Sequence, residues 1–243
     1  MLSQWIFAAY VMTFYWGTAV RGETAKWNEV LAVGIVPGDT MGNTALAIHV
    51  GLAGFMIIAG PLQLMPQVRS RWPMFHRWVG RSYVVLAIIV SSAGLFLEIT
   101  RDNIGGIILE ISTGTNGAVA IICAIQAWRY ALAKRFTTHR DWAIRLWLMA
   151  SGVWFFRILL MFWVLINQGP VGIGENFDGW AVIMLAYSSW LMPLAVFELY
   201  RSARDNGGVQ HRTATATLLG VLTLATLAGS AMAAYGMWWP RIG

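Results

Sequence analysis

The sequence predicts an all-α, polytopic integral membrane protein of about seven transmembrane helices, and three observations predict it. Of its 243 residues, 58% are hydrophobic and only 12% charged, with a mean hydropathy of +0.60. A water-soluble domain of this length carries about twice that share of charge. The apolar runs are long and unbroken rather than alternating with period two, which selects helices over a barrel as the way to satisfy backbone groups in lipid. The Lys and Arg also gather in alternate loops between those runs.

The spans fall at roughly 2–20, 44–66, 79–98, 105–133, 142–166, 179–200 and 214–238. The first lacks a positive n-region and a small-residue cleavage site, so it reads as a retained span rather than a signal peptide. The stretch 21–43 carries Trp27, Val30, Leu31 and Val33 and is expected to lie flat in the outer interface. The head of the fourth span, Ile104 to Gly117, is rich in Gly and Thr and is expected to be broken or to start late. The stretch 167–179 reads as an outer turn. In the seventh span Ala225, Gly229 and Ala233 recur every four residues and make one smooth face, suited to packing inside the bundle or to a homodimer or complex contact. The whole chain reads as one transmembrane domain, with residues 44–166 as a core of two helical hairpins.

Orientation follows from the basic residues. Arg69, Arg71, Arg77, Arg81, Lys134, Arg135, Arg140, Arg145, Arg201, Arg204 and Arg212 lie on one side, eleven of the 17. Arg21, Lys26, Arg101 and Arg241 lie on the other, with Arg129 and Arg157 inside spans. The richer side is expected to be cytoplasmic, which places the N-terminus inside and the C-terminus outside, in a bacterial inner membrane. Glu23, Glu29, Asp39, Asp102, Glu175 and Asp178 fall in the opposite loops. The net charge of +6 sits between spans, so lipid headgroups rather than nucleic acid are its expected neighbours. Trp5, Trp27, Trp72, Trp78, Trp142, Trp180, Trp238 and Trp239 fall near span ends and read as interfacial anchors. The lone Cys123 excludes an intrachain disulfide.

Two segments resemble each other: His76-Arg77-Trp78-Val79-Gly80-Arg81 and His139-Arg140-Asp141-Trp142-Ala143-Ile144-Arg145. Each opens a span on the basic side after a basic turn, which suggests an internal repeat of helical hairpins. Together with His49-Val50-Gly51 and Gly60-Pro61-Leu62-Gln63, these motifs resemble a family of predicted membrane proteins catalogued as domain of unknown function twenty-three-oh-six, over roughly residues 44–160. The matching positions are His49, Gln63, His76, Arg77, Gly80, Arg81, His139, Trp142 and Arg145. That resemblance implies a helical membrane fold and no activity. The histidine pattern is also loosely similar to cytochrome b561-type bundles, which hold haem b between histidines of neighbouring helices; two bis-histidine pairs at two depths are absent here.

His76 and His139 meet the depth condition for the two axial ligands of one haem iron if their spans face each other. His49 lies near the other end of its span and pairs with neither. Arg77, Arg81, Arg140 and Arg145 would then meet propionates or a headgroup, with His49, Gln63 and Arg157 as further candidate cofactor contacts. The same His and Arg residues equally suit lipid phosphates at a helix N-terminus, a quinone, or, with His211 and Asp141, Glu198 or Asp205, a divalent metal. Arg157, near mid-membrane, is expected to pair with Glu110 or Glu98. No Walker loop, dinucleotide fingerprint or Gly-x-Ser-x-Gly is present, and no lysine lies deep in the last span as retinal chemistry requires. Three classes remain: a b-type haem or quinone-contacting electron carrier, a structural or assembly subunit of a larger membrane complex, and a lipid-handling transporter or enzyme.

Overall fold

The computed structural model describes residues 1–31, 33–101 and 105–242, and every described element is helical or a turn. Asp102 and Ile104, used in the sequence argument, lie outside these residues. The chain opens with α1 (Leu2–Val11), which continues through a π-helical stretch, Met12–Trp16, into α2 (Gly17–Val20). There follow α3 (Thr40–Leu64), the short α4 (Pro66–Arg71), α5 (Pro73–Thr100), α6 (Gly106–Leu132), α7 (Phe136–Ala150), α8 (Gly152–Asn167), α9 (Trp180–Asn206) and α10 (Val209–Ala233), which runs on through a π-helical stretch, Ala234–Trp238.

Among the described residues five helices are long and apolar enough to cross a bilayer: α3, α5, α6, α9 and α10 with its extension. α7 and α8 form a sixth span if taken together, bent by 55° at their junction. Several helices run past the predicted span ends, since their last turns need no lipid to stay helical.

The break expected at the head of the fourth span is elsewhere. α6 runs continuously from Gly106 behind a left-handed Gly105. The fifth span is the broken one, at Ser151. There Gln4 of α1 donates from Nε2 to Ser151 Oγ at 3.0 Å, and Asn116 Nδ2 of α6 approaches the Met149 carbonyl at 3.4 Å. A Cβ at Gly152 would meet that same Asn116 nitrogen at 2.8 Å, so glycine admits the side chain that serves the break.

The stretch 21–43 is not a flat interfacial segment. Thr24–Glu29 forms a 3-10 turn that plugs Trp27 into the bundle end at 4% exposure. Its indole N–H donates to Thr18 Oγ1 at 2.9 Å, and the ring meets Tyr15 edge-on. Trp238 is fully buried against Phe7. Both therefore leave the set of interfacial anchors, because a partner ring claims each, while Trp72, Trp78, Trp180 and Trp239 are exposed. Gly229 and Ala233 of the smooth α10 face are buried inside the chain. A Cβ on Gly229 would lie 2.7 Å from Ile158 Cγ2 of α8, so close backbone approach sets this contact.

Polar clips hold both ends. Asp39 caps α3 by accepting from the Gly42 N–H at 2.8 Å and binds Arg101 of α5 through Nε at 3.0 Å and Nη2 at 2.8 Å. At the basic end Arg145 of α7 donates to Glu198 of α9 at 2.7 Å, and Arg204 of α9 reaches both carboxylate oxygens of the buried Asp141 at 3.4 Å. α3 packs on α5, α5 on α6 and α6 on α7, so α5 and α7 stand diagonally in a four-helix group.

Candidate functional site

Two helix starts build the site. Trp72 ends α4 and caps α5, whose first residue is Pro73, a position where its missing N–H costs nothing. α6 ends with Lys134 in the left-handed region, the Lys134 N–H donating to the Ala131 carbonyl and the Arg135 N–H to the Tyr130 carbonyl. Arg135 then caps α7. His76 and His139 are each the fourth residue of their helix, and each closes the first backbone bond to the capping residue, Trp72 or Arg135.

Between α5 and α7, walled by the end of α3 and by α6, lies a cavity of about 680 Å³, within the range of small-molecule and cofactor sites. His76, Arg77, Gly80, Tyr83 and Val84 line one side; His139, Arg140, Ala143, Leu146 and Trp147 line the other, at one constant separation in the sequence. The same separation relates Gly51 to Gly114, Gly54 to Gly117 and Gln63 to Gln126. The two hairpins thus present the same register to one shared space.

Arg69, Arg77, Arg81 and Arg140 surround the basic end of the cavity, and among the described residues no carboxylate lines it. Leu132 and Phe136, at 70% and 67% exposure, form an apolar flank open to the surroundings. His139 Nδ1 lies 2.9 Å from the Ala127 carbonyl oxygen, which can only accept. Nδ1 therefore carries a proton, which leaves Nε2 as the nitrogen turned to a ligand. Gln63 Nε2, His76 Nδ1 and Trp147 Nε1 are buried with no hydrogen-bond partner among the described residues, and all three belong to residues lining this cavity. An unsatisfied buried polar atom costs about 1–3 kcal/mol, and these three are enclosed by the helices around the cavity.

A family model described as a predicted membrane protein, DUF2306, matches residues 46–201. The chain belongs to this family. No curated protein and no solved structure is significantly similar to it. The DUF2306 match covers both hairpins, α8 and most of α9, and so takes in every residue that lines the cavity.

Of the sequence candidates in this DUF2306 chain, the structure brings His76, His139, Arg77, Arg81, Arg140 and Gln63 to the cavity. It places three others elsewhere. Arg145 turns away toward α9, where its guanidinium lies over the rings of Trp142 at 4.8 Å and Phe197 at 5.3 Å and binds Glu198; it clips two helices together. His49 is wedged between α3 and α5, with Nδ1 donating to the Val90 carbonyl at 2.9 Å, where a Cβ on Gly94 would fall 2.9 Å from its ring. Arg157 pairs with neither Glu98 nor Glu110. It lies over the Phe7 ring at 5.3 Å and donates to its own helix at Val153, while Glu98 accepts from the Thr113 hydroxyl.

The three-histidine metal arrangement is also absent among the described residues, where no three His, Cys, Asp or Glu gather. His211 lies in the first turn of α10. Asp141, Glu198 and Asp205 are bound by arginines.

Sequence reasoning missed Tyr83 and Trp147, and named Gly60 only within the motif that carries the resemblance. A Cβ on Gly60 would lie 2.7 Å from Trp147 Cδ1 and 3.3 Å from the Tyr83 hydroxyl, so this glycine lets the indole rest on the α3 backbone. Gly80 likewise admits Gln63, whose Oε1 lies 3.0 Å from its ideal Cβ. The signal available was the constant register between the hairpins, which aligns Trp147 with Val84.

Proposed function

We propose that this DUF2306 protein is an electron-transfer protein of the membrane, with an organic redox cofactor, haem b or a quinone, in the cavity between α5 and α7. The observation that carries the reading is the pair His76 and His139, set in one register on opposite sides of a cavity with an arginine-rich end and no lining carboxylate. That electrostatic pattern selects an anionic or electron-rich ligand over a cation. The apolar flank selects a lipophilic one.

The residues fit haem b. His139 has Nδ1 engaged by Ala127 and Nε2 free, the arrangement that orients an imidazole ligand. His76 has an unpartnered buried nitrogen. These two would supply the axial nitrogens, and Arg77, Arg81 and Arg140 would meet the propionates. Bound there, the group would supply one-electron chemistry. The protein's own part is to hold both rings, exclude water with Leu146 and Trp147, and balance the acid groups with guanidinium charge.

The same reading places the basic end in the cytoplasm. It treats residues 2–20 as a seventh span, with the N-terminus inside, the C-terminus outside and a bacterial inner membrane as the setting. The test is an absorption spectrum of the detergent-purified protein, oxidised and then reduced, together with organic extraction of the same sample. A Soret band with sharp reduced bands that His76→Ala removes, or quinone recovered near one per chain, is the expected result. Protein made with ample haem that is colourless and whose extract holds no quinone would overturn the reading.

A further inference from the structure

The two sides of the cavity match at the centre and differ at the periphery. At the sequence separation that relates His76 to His139, Arg77 answers Arg140 and Gly80 answers Ala143, and all of these line the cavity. Around this centre the match fails in one direction. Arg69 answers Leu132, Pro73 answers Phe136 and Arg81 answers Ile144, again all lining the cavity. Where the α4–α5 side brings Arg69 and Arg81, the α6–α7 side brings Leu132 and Ile144. One side of the space is cationic and the other is apolar.

The cations of the charged side also lack counter-charges. Elsewhere the chain matches arginine to carboxylate: Arg101 binds Asp39, Arg145 binds Glu198 and Arg204 binds Asp141. Among the described residues Arg69, Arg77 and Arg81 pair with no carboxylate, and Arg81 lies over the Trp78 ring at 5.2 Å. Arg140, on the apolar side, has Asp141 at 3.7 Å. The positive potential of the cavity is therefore concentrated on the α4–α5 side, and it selects a ligand whose acid groups lie on one edge.

This asymmetry separates the two cofactors that the histidines alone do not. A tailed 1,4-quinone is neutral. Its tail suits the apolar side, and it offers nothing to three guanidiniums. Haem b carries both propionates on one edge of the ring and only methyl and vinyl groups on the opposite edge. We infer that the cofactor is haem b, seated with its propionate edge toward Arg69, Arg77 and Arg81 and its apolar edge toward Leu132, Phe136 and Ile144. This rests on the electron-transfer reading and narrows it. Arg69, on the short α4, becomes a residue that selects the cofactor by charge.

The test titrates the full chain, produced without haem and purified in detergent, with haemin and with its dimethyl ester. The ester keeps ring and iron and removes both acid charges. Growth of the Soret band reads binding. The diacid should bind at least about tenfold more tightly than the ester, since each charged hydrogen bond lost is worth about that much. Arg69→Gln combined with Arg81→Gln should shrink that ratio about tenfold, mainly by weakening the diacid. Arg69→Lys, which keeps the charge, should lose less of it than Arg69→Gln. Phe136→Ser should weaken both porphyrins alike and leave the ratio unchanged. A thermal melt shows that each variant is folded; if the double variant is not, Arg69→Gln against Arg69→Lys carries the test. Equal affinity for diacid and ester would overturn the assignment. A ratio that Arg140→Gln lowers and Arg69→Gln does not would overturn the seating and leave haem in place. Quinone recovered near one per chain from a protein that binds neither porphyrin would overturn haem and leave the electron-transfer reading standing. Loss of both ligands would remove that reading as well.

Discussion

His139 donates its Nδ1–H to the Ala127 carbonyl oxygen at 2.9 Å, back across the turn that joins α6 to α7. The bond does two things. It brings a second donor to a carbonyl in the last turns of α6 and so ties the start of α7 back to that helix. It also fixes the ring so that only Nε2 is left for a ligand. The two roles separate by substitution, because the Asn side-chain amide reproduces the Nδ1 position and nothing beyond it.

His139→Asn should therefore keep the fold within about 0.5 kcal/mol, whereas His139→Ala should lose about 1 kcal/mol by deleting the hydrogen bond that ties α7 to α6. Detergent-phase denaturation of the two variants measures the difference. Nitrogen NMR of histidine-labelled protein should show a protonated Nδ1 for His139. Equal losses in the two variants would mean that the Ala127 bond contributes nothing.

Gly60→Ala tests the floor of the cavity. The new methyl would sit 2.7 Å from Trp147 Cδ1, closer than packed carbons approach, so the indole must move or α3 must shift. Overpacking of this kind costs about 1–3 kcal/mol. The expected result is a lower melting temperature that the second change Trp147→Leu, by removing the clash, partly restores. Additive losses in the double variant would place Trp147 away from Gly60.

The all-helical membrane fold and the placing of His76, His139 and three arginines at one end were legible because hydropathy and charge asymmetry act along the chain, while Gln63 was named from the family resemblance. Each depends on local composition, and lipid enforces it segment by segment. What was not legible depends on close approach between segments distant in sequence. Arg145 looked like a headgroup contact until Glu198, 53 positions away, claimed it. Trp27 and Trp238 looked interfacial until Thr18, Tyr15 and Phe7 supplied partners. The broken span was misplaced because Gly and Thr content at the head of α6 suggested weakness. The real break, at Ser151, is held open by Gln4 and Asn116 from two other helices.

Asp39 gives the structure a pH-dependent joint at the end opposite the cavity. The Gly42 N–H, and after it the Arg101 guanidinium, hold its carboxyl below the ordinary 3.8. A group whose value falls on folding stabilises the fold above its unfolded value, and that contribution is lost as pH falls through the folded value. Melting temperature should thus decline from about pH 4 downward in the parent protein. Asp39→Asn should start lower and decline less over that window. Parallel pH profiles for parent and variant would show that the clasp does not stabilise the fold.

Arg157 supplies the last test, because the sequence argues for one partner and the structure for another. A charge near mid-membrane is expected to find a carboxylate, and Glu98 and Glu110 were the candidates. The guanidinium instead faces the Phe7 ring and the Val153 carbonyl, while Thr113 serves Glu98. With these contacts Arg157→Leu and Glu98→Gln should be additive, with a coupling energy below about 0.5 kcal/mol. Arg157→Leu and Phe7→Leu should couple by about 0.5–1 kcal/mol through the lost cation–π contact. A double-mutant cycle in detergent measures both. Strong coupling to Glu98 with none to Phe7 would restore the ion pair and require α8 to turn about its axis, bringing the guanidinium toward the α5–α6 end where Glu98 and Thr113 meet.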